Sequence, residues 1–442
     1  MKQYGEYKDS GIQWIGKIPS HWHAKKIKFS CNVTDGTHFS PPTREKGKLY
    51  ITVSNVHDDI IDVDNANRIS EDDFLNLVKQ GCQPQRGDVL LAKDGTVGRT
   101  AIVKDNDYVV LSSLGILHPL KGMTSEYLKY SLDSSYLQEQ MNAAMAGSAL
   151  RRITINKISE FISIIPPVAE QQSIASYLDY KVGQIDAAIK EKELLLNDLK
   201  TYRSAIISEA VTKGLDKNAE MKDSGVEWIG KIPKHWKCAR LKFLLSEPLQ
   251  YGANEAAESN NRNWPRYIRI TDIDEYGNLK EETFRSLQPD KARGYLLQKG
   301  DLLFARSGAT VGKTFIFNED YDACFAGYLI KARCGEQLLP MFLYYYTNSK
   351  QYENWKSSTF VQATIQNIGA DKYSLMPIVV PSVKEQHDIV DFIGKKLSTI
   401  YDILNRLNEE LTDLNSYKSS IITEAVTGKV DLRDWKKQKE AV

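Results

Sequence analysis

The segment KDSGIQWIGKIPSHW at residues 8–22 returns as KDSGVEWIGKIPKHW at 222–236, and no other feature constrains the fold of this chain as strongly. Three further blocks recur in the same order: GDVLLAKDGTVGRT (87–100) with GDLLFARSGATVGKT (300–314), IPPVAEQ (165–171) with VPSVKEQ (380–386), and YRSAIISEAVTKG (202–214) with YKSSIITEAVTGK (417–429). A period of about half the chain is too long for a solenoid unit that cannot fold alone, so the halves read as two complete modules. Between the shared blocks they diverge, TDGTHFSPPTREKGKLYITVSNV (34–56) standing against LQYGANEAAESNNRNWPRYIRITDI (249–273). The frame is kept and its content is exchanged.

Residues 24–165 and 238–380 mix short β-branched runs with Gly and Asp turns; the runs Leu49–Ser54, Asp88–Ala92 and Tyr108–Leu111 are expected as strands of a mixed α/β domain. After Pro166-Pro167 the pattern becomes that of a long helix opened by Glu170-Gln171. Leu178, Val182, Ile185, Ile189, Leu196, Leu199 and Ile206 follow a heptad rhythm interrupted by Lys192 and Arg203. The second half repeats it with Ile393, Leu397, Ile400, Leu404, Leu407, Leu411, Leu414, Ile421 and Ala425, broken by Lys418. One heptad run alone is better explained by core packing of a helical subdomain; two in matching register point to a coiled coil. A helix of about 40 residues would be roughly 60 Å long. The short linker at 214–225 favours antiparallel pairing, with one globular domain at each end of a dumbbell.

At 442 residues the chain exceeds a single core, and its 42% hydrophobic, 26% charged composition is that of a globular protein. Lys and Arg number 58 against 57 acidic residues, so net charge neither supports nor excludes a polyanionic partner. The five cysteines form no C-x-x-C pair and are expected as reduced structural thiols. The polar start and the absence of a long apolar run argue against a signal peptide or membrane anchor, which gives a cytoplasmic expectation.

Motifs for chemistry are few. GATVGKT (308–314) resembles a phosphate-binding loop, but Ser307 stands where that loop needs its first glycine and the first-half copy lacks the lysine, so a glycine turn after a buried strand explains both. His21 and His235, beside Trp22 and Trp236, read as packing residues. The Trp14/Trp228 and Trp22/Trp236 pairs could stack on bases, yet their identity in both halves argues for core positions.

The doubled order of SG-W-G-x-I-P-x-W, variable domain, P-x-x-x-E-Q, long helix and S-I-I-x-E-A-V-T resembles the specificity (S) subunits of type I restriction-modification systems over nearly the whole chain. Two styles of that family's variable domain are visible, DGTHFSPP (35–42) with Ser54-Asn55-Val56 and YGANEAA (251–257) with Ile270-Thr271-Asp272-Ile273. The resemblance implies an α+β architecture in which two mixed α/β target-recognition domains (1–167 and 215–382) are joined by antiparallel helices (168–214 and 383–428), followed by a tail (429–442). Each domain would read half of a bipartite asymmetric DNA site and the helices would set the spacing. Catalysis would lie elsewhere: this chain would hold no cofactor, two modification (methyltransferase) subunits would bind S-adenosylmethionine, and restriction (motor-nuclease) subunits would use ATP and Mg.

DNA reading requires groove-directed and phosphate-directed side chains on loops. Candidates are Thr37, His38, Thr43, Arg44, Lys93, Arg99, Arg151 and Arg152 in the first domain, and Tyr251, Asn254, Arg266, Arg269, Arg306, Lys313 and Gln362 in the second. Two other readings remain open at this level: a coiled-coil scaffold with two partner-binding domains, and a nucleotide enzyme using 308–314.

Overall fold

A computed structural model of the chain describes residues 2–435 apart from 13, 58, 147–150, 257–258, 275–276, 309 and 361–366. The chain forms two compact units, Met1–Lys192 with Asn408–Val442, and Glu193–Leu407. The dividing points fall inside two long helices, Val168–Lys213 and Val383–Val426. Each unit therefore holds the start of one helix and the end of the other.

The first unit is built on a four-stranded antiparallel sheet in the order Thr100–Ile102, Val89–Ala92, Leu114–Pro119, Cys31–Asp35. A second sheet sets Tyr108–Val110 parallel to Lys48–Ile51, with Asn67–Ile69 on its other side. The strand Val89–Ala92 shows why its sequence is apolar without a break. Side chains alternate between the faces of a strand, and here Val89 and Leu91 enter a core shared with the helices while Leu90 and Ala92 enter a core shared with Ile51, Val110 and Leu114. Both faces are buried, so both must be apolar. The expected strand Leu49–Ser54 stops earlier, because Asn55 Oδ1 accepts from the Thr52 amide at 3.0 Å and caps a 3₁₀ turn at Val53–Asn55.

The second unit repeats this design. Its sheet runs Gln250–Tyr251, Leu329–Ala332, Leu302–Ala305, Thr314–Ile316, and Arg266–Ile268 pairs parallel with Ala323–Phe325. Leu302 and Phe304 face one core, Leu303 and Ala305 the other. Asp272 Oδ2 takes the place of Asn55 Oδ1, accepting from the Arg269 amide at 2.8 Å over a 3₁₀ turn at Ile270–Asp272.

The repeated Glu-Gln pair fastens each long helix to its own unit. Gln171 Oε1 accepts from the Thr124 amide at 2.9 Å while its Nε2 donates to the Gly122 and Pro166 carbonyls at 2.8 and 2.9 Å. Gln386 makes the same three bonds, from the Leu339 amide (2.8 Å) and to the Gln337 and Pro381 carbonyls (2.9 and 3.1 Å). Glu170 accepts from Tyr4 Oη and Trp22 Nε1, both at 3.0 Å, and meets His21 Nε2 at 2.7 Å. Glu385 meets Trp236 Nε1 at 3.1 Å and His235 Nε2 at 2.7 Å. The two histidines thus do more than pack: each reaches the carboxylate that starts a helix. Trp22 and Trp236 are fully buried as expected, but Trp14, expected in the core, is 59% exposed and Trp228 is half-buried.

Within the first unit Asp186 pairs with Lys418 at 2.6 Å and Lys192 with Glu410, so the two helix segments run in opposite directions there. In the second unit the Arg203 guanidinium lies 5.3 Å from the Tyr401 ring centre. All three cations that interrupt the heptad rhythm therefore have partners across the helix pair. The five cysteines are unpaired, and burial pushes the Cys31, Cys324 and Cys334 thiols up to about 12.

Candidate nucleic-acid interface

In both units the variable loops leave the sheet at a glycine. A Cβ on Gly36 would lie 2.4 Å from the Leu111 carbonyl, and one on Gly252 would lie 2.3 Å from that of Ala326. No side chain fits, which explains the shared glycine of DGT and YGA. The next residues then pair alike, Thr37 with Leu111 and Ala253 with Ala326. The same launch point carries two different loops.

Beside it, the first unit holds an ion pair. Lys93 is 1% exposed and its Nζ lies 3.2 Å from Asp35 Oδ1, while His38 Nε2 approaches Asp35 Oδ2 at 3.1 Å. A cation taken out of water needs such a partner. The backbone of Lys93 accepts from the Ile153 amide at 2.9 Å, and Asp94 bridges to Arg152, whose Nε lies 3.2 Å from Asp94 Oδ1. Asp35, His38, Lys93, Asp94, Arg151 and Arg152 are thereby brought to one edge, with Arg151 and His38 turned to solvent.

The second unit uses equivalent backbone with other chemistry. Arg306 takes the place of Lys93, its carbonyl accepting from the Ile368 amide at 2.8 Å. Its guanidinium lies 5.0 Å from the centre of the Tyr251 ring, and Tyr251 stands where the first unit has Asp35. Tyr251 Oη accepts from the Ala370 amide at 2.9 Å, and Ser307 bridges to Asn367. Arg306 Nε is buried and, among the described residues, has no hydrogen-bond partner. A half-buried cation and an aromatic ring at a sheet edge are suited to stacking and anion contact.

Several candidates from the sequence are engaged with the protein itself. Thr37 is buried and its hydroxyl closes a turn with the amide and carbonyl of Phe39, both at 3.0 Å. Lys93 is internal, as described. Arg266 is buried, donating to Glu281 and the Lys280 carbonyl at 2.7 Å and to Tyr321 at 3.1 Å, and its bond to Glu281, with one from Arg262, holds that carboxyl below its ordinary range. Arg269 forks onto Asp272 at 3.0 and 2.6 Å and reaches the Thr283 carbonyl at 2.8 Å. Lys313 donates to the carbonyls of Ile273 and Asp274 at 3.0 and 2.7 Å, bracing the chain next to its glycine turn. For the four cations the physical reason is common: a guanidinium or ammonium near a sheet satisfies carbonyls and carboxylates within reach, and sequence alone does not show those acceptors.

Thr43, Arg44 and Asn254 are exposed, as is Arg99, which bonds His57 at 3.0 Å. Arg44 joins the edge of the second sheet, its amide donating to the Arg68 carbonyl at 2.8 Å. Gln362 lies outside the described residues. Two exposed aromatics escaped the sequence reading. Phe39, 59% exposed, sits in a loop of Gly, Ser and Pro with no core to enter, and Tyr328, 67% exposed, accepts at its carbonyl from the Arg306 amide at 3.0 Å. A lone aromatic inside a turn-rich segment was the available signal for Phe39, whereas Tyr328 stands between two apolar runs that point to the core. No helix of the described residues is long and apolar enough to cross a membrane.

Comparison with known proteins agrees with this layout. The family model "Type I restriction modification DNA specificity domain" matches residues 19–196 and 250–413. The chain is 23% identical to the type I restriction enzyme EcoKI specificity subunit of Escherichia coli K12, over 94% of this chain and 90% of that one. It is 22% identical to the putative type I restriction enzyme MjaX specificity subunit of Methanocaldococcus jannaschii, over 95% and 96%. A solved chain from work on complex assembly and conformational transition of the type I R-M system shares the fold with a TM-score of 0.67 at 16% identity, covering 93% of this chain and 99% of that one. Two copies of one frame carrying unlike loops, and a family match to both, make this chain a member of the type I restriction-modification specificity subunit family, with a role in DNA recognition.

Proposed function

We propose that each unit reads one half of a bipartite, asymmetric DNA sequence through the loops launched at Gly36 and Gly252, and that the paired long helices act as an antiparallel coiled-coil spacer fixing the distance between half-sites. The observation that carries this reading is the contrast between Asp35 with Lys93 and Tyr251 with Arg306 on equivalent backbone. One geometry with two side-chain chemistries is what reading two different half-sites requires. Arg151, Arg152, Arg44 and His38 in the first unit, and Arg306, Tyr251, Asn254 and Tyr328 in the second, are the contacts we assign to DNA. The chain itself is non-catalytic; two methyltransferase subunits holding S-adenosylmethionine dock on the helices, and nuclease subunits using ATP and Mg join them in the cytoplasm.

The test is single-molecule sequencing of adenine methylation in cells expressing this chain with its neighbouring methyltransferase subunit, against cells expressing that subunit alone. One new bipartite, non-palindromic methylated motif is the expected result. No new motif, with both proteins soluble and associated, would overturn the reading in favour of a protein scaffold.

A further inference from the structure

The end of the first unit shows how one groove of this fold is filled. After the second long helix the chain turns back, burying Val430 and Leu432 and donating from the Asp431 amide to the Lys2 carbonyl at 2.9 Å. Trp435 then lies edge-on to Tyr177, ring centres 5.7 Å apart, and 6.1 Å from Tyr180. Beneath it Tyr177 is 4% exposed.

The second unit has the same groove without that filling. Phe392 follows Glu385 by the same seven positions that separate Tyr177 from Glu170, yet it is 37% exposed. The chain here does not end in a tail: beyond Gly214 it enters the second copy of the frame at Met221–Asp223. What is left is an open groove of about 800 Å³ whose floor includes Tyr202, Ile206, Leu215 and Phe392. Its walls carry Lys213, Lys217, Lys231 and Lys396 against only Glu209 and Asp216. An apolar aromatic floor under a cationic rim selects an aromatic anchor flanked by carboxylates. The filled groove already displays such an occupant, for the segment 430–435 reads Val-Asp-Leu-Arg-Asp-Trp, with two carboxylates, one guanidinium and a terminal indole.

We propose that the groove over Phe392 is a docking site for a short acidic, tryptophan-bearing segment of a partner protein, seated as Trp435 is seated on Tyr177. Among the described residues the site is single, because the first unit covers its own copy. It rests on the reading of this chain as one member of a larger assembly, and it makes that assembly asymmetric at this face.

The probe is a fluorescein-labelled peptide of sequence Val-Asp-Leu-Arg-Asp-Trp, titrated with the full chain and followed by anisotropy. Saturable binding of one peptide per chain is expected, weakened about tenfold by Phe392→Glu and several-fold by Lys217→Glu with Lys396→Glu, and lost when the peptide tryptophan becomes alanine. Phe392, Lys217 and Lys396 are all surface positions, so the lysine pair stands as an independent check on the phenylalanine variant. Absence of saturable binding would overturn the proposal. So would binding that survives Phe392→Glu but is removed by Tyr180→Glu, since the peptide would then be displacing the chain's own tail. Sedimentation showing a self-associating chain that Phe392→Glu renders monomeric would replace the partner by a second copy. Peptide binding that persists while no methylated motif appears would strike the DNA-reading proposal and leave this one standing.

Discussion

Where the central strand leaves the sheet, the first unit sets Lys93 against Asp35 in the interior and the second lays Arg306 over Tyr251 at a half-open edge. The surrounding backbone is the same, since the carbonyl of each cation takes an amide from the returning segment, Ile153 in one case and Ile368 in the other. A frame fixed by main-chain hydrogen bonds and buried tryptophans leaves the chemistry at its edge free to change. The frame itself is almost invariant. Glu170 and Glu385 each gather a histidine and a tryptophan, differing mainly in a third partner, Tyr4 for the first and Ser382 for the second.

The comparison can be broken most severely at the tryptophans. Trp22→Ala and Trp236→Ala should each cost about 4 kcal/mol by denaturant unfolding, the first somewhat more because Glu170 also orders Tyr4; a negligible cost in one unit would show that the two frames are not equivalent supports. Next, Lys93→Met should cost about 3 kcal/mol by leaving the Asp35 carboxylate with His38 alone, whereas Arg306→Met should cost about 1 kcal/mol or less, having lost only a cation over a ring. Equal losses would mean that the two edges share one energetic role. Gln171→Ala and Gln386→Ala should be matched at about 2 kcal/mol, each leaving an amide and two carbonyls without their partner.

Smaller effects sharpen the functional side. Arg151→Ala combined with Arg152→Ala should weaken DNA binding and lower the slope of log affinity against log salt by about 2. An unaltered slope would take both residues off the phosphate-contact list. The gentlest test is acid. Burial alone would raise the Glu385 carboxyl, but hydrogen bonds from His235, Trp236 and Ser382 outweigh it and hold the group at about 2, below its ordinary 4.5. A carboxyl depressed in the folded state stabilises fully above its unfolded value, so this contribution should fade as pH falls from 4.5 toward 2. Glu385→Gln should flatten that portion of the stability profile; a profile with the wild-type slope would assign the acid loss to other groups.

Much of the fold was legible because duplication repeats the evidence. The apolar runs at Val89–Ala92 and Leu302–Ala305, the Glu-Gln helix starts and the interrupted heptads each occur twice, and a pattern kept twice is hard to mistake. The edges were harder. Whether Arg266 faces solvent or Glu281 depends on where a residue fifteen positions away has been folded, and no local pattern encodes that. Trp14 failed for the opposite reason: its recurrence at Trp228 suggested the core, yet recurrence identifies a shared position without saying which side of it meets water. Ser54-Asn55-Val56 carried a readable resemblance, but its physical role as a capped 3₁₀ turn became visible only with the Thr52 amide in place.

The cut through both long helices bears on the order in which a ribosome can deliver this protein. The core of the first unit includes Ile421, Ile422, Ala425 and Val426, so its N-terminal strands must wait, incompletely covered, until those residues have been made. The second unit is contiguous from Glu193 to Leu407 and has all its parts earlier. Synthesis from the N-terminus ordinarily finishes the first module first; here the chain closes its later module before its earlier one.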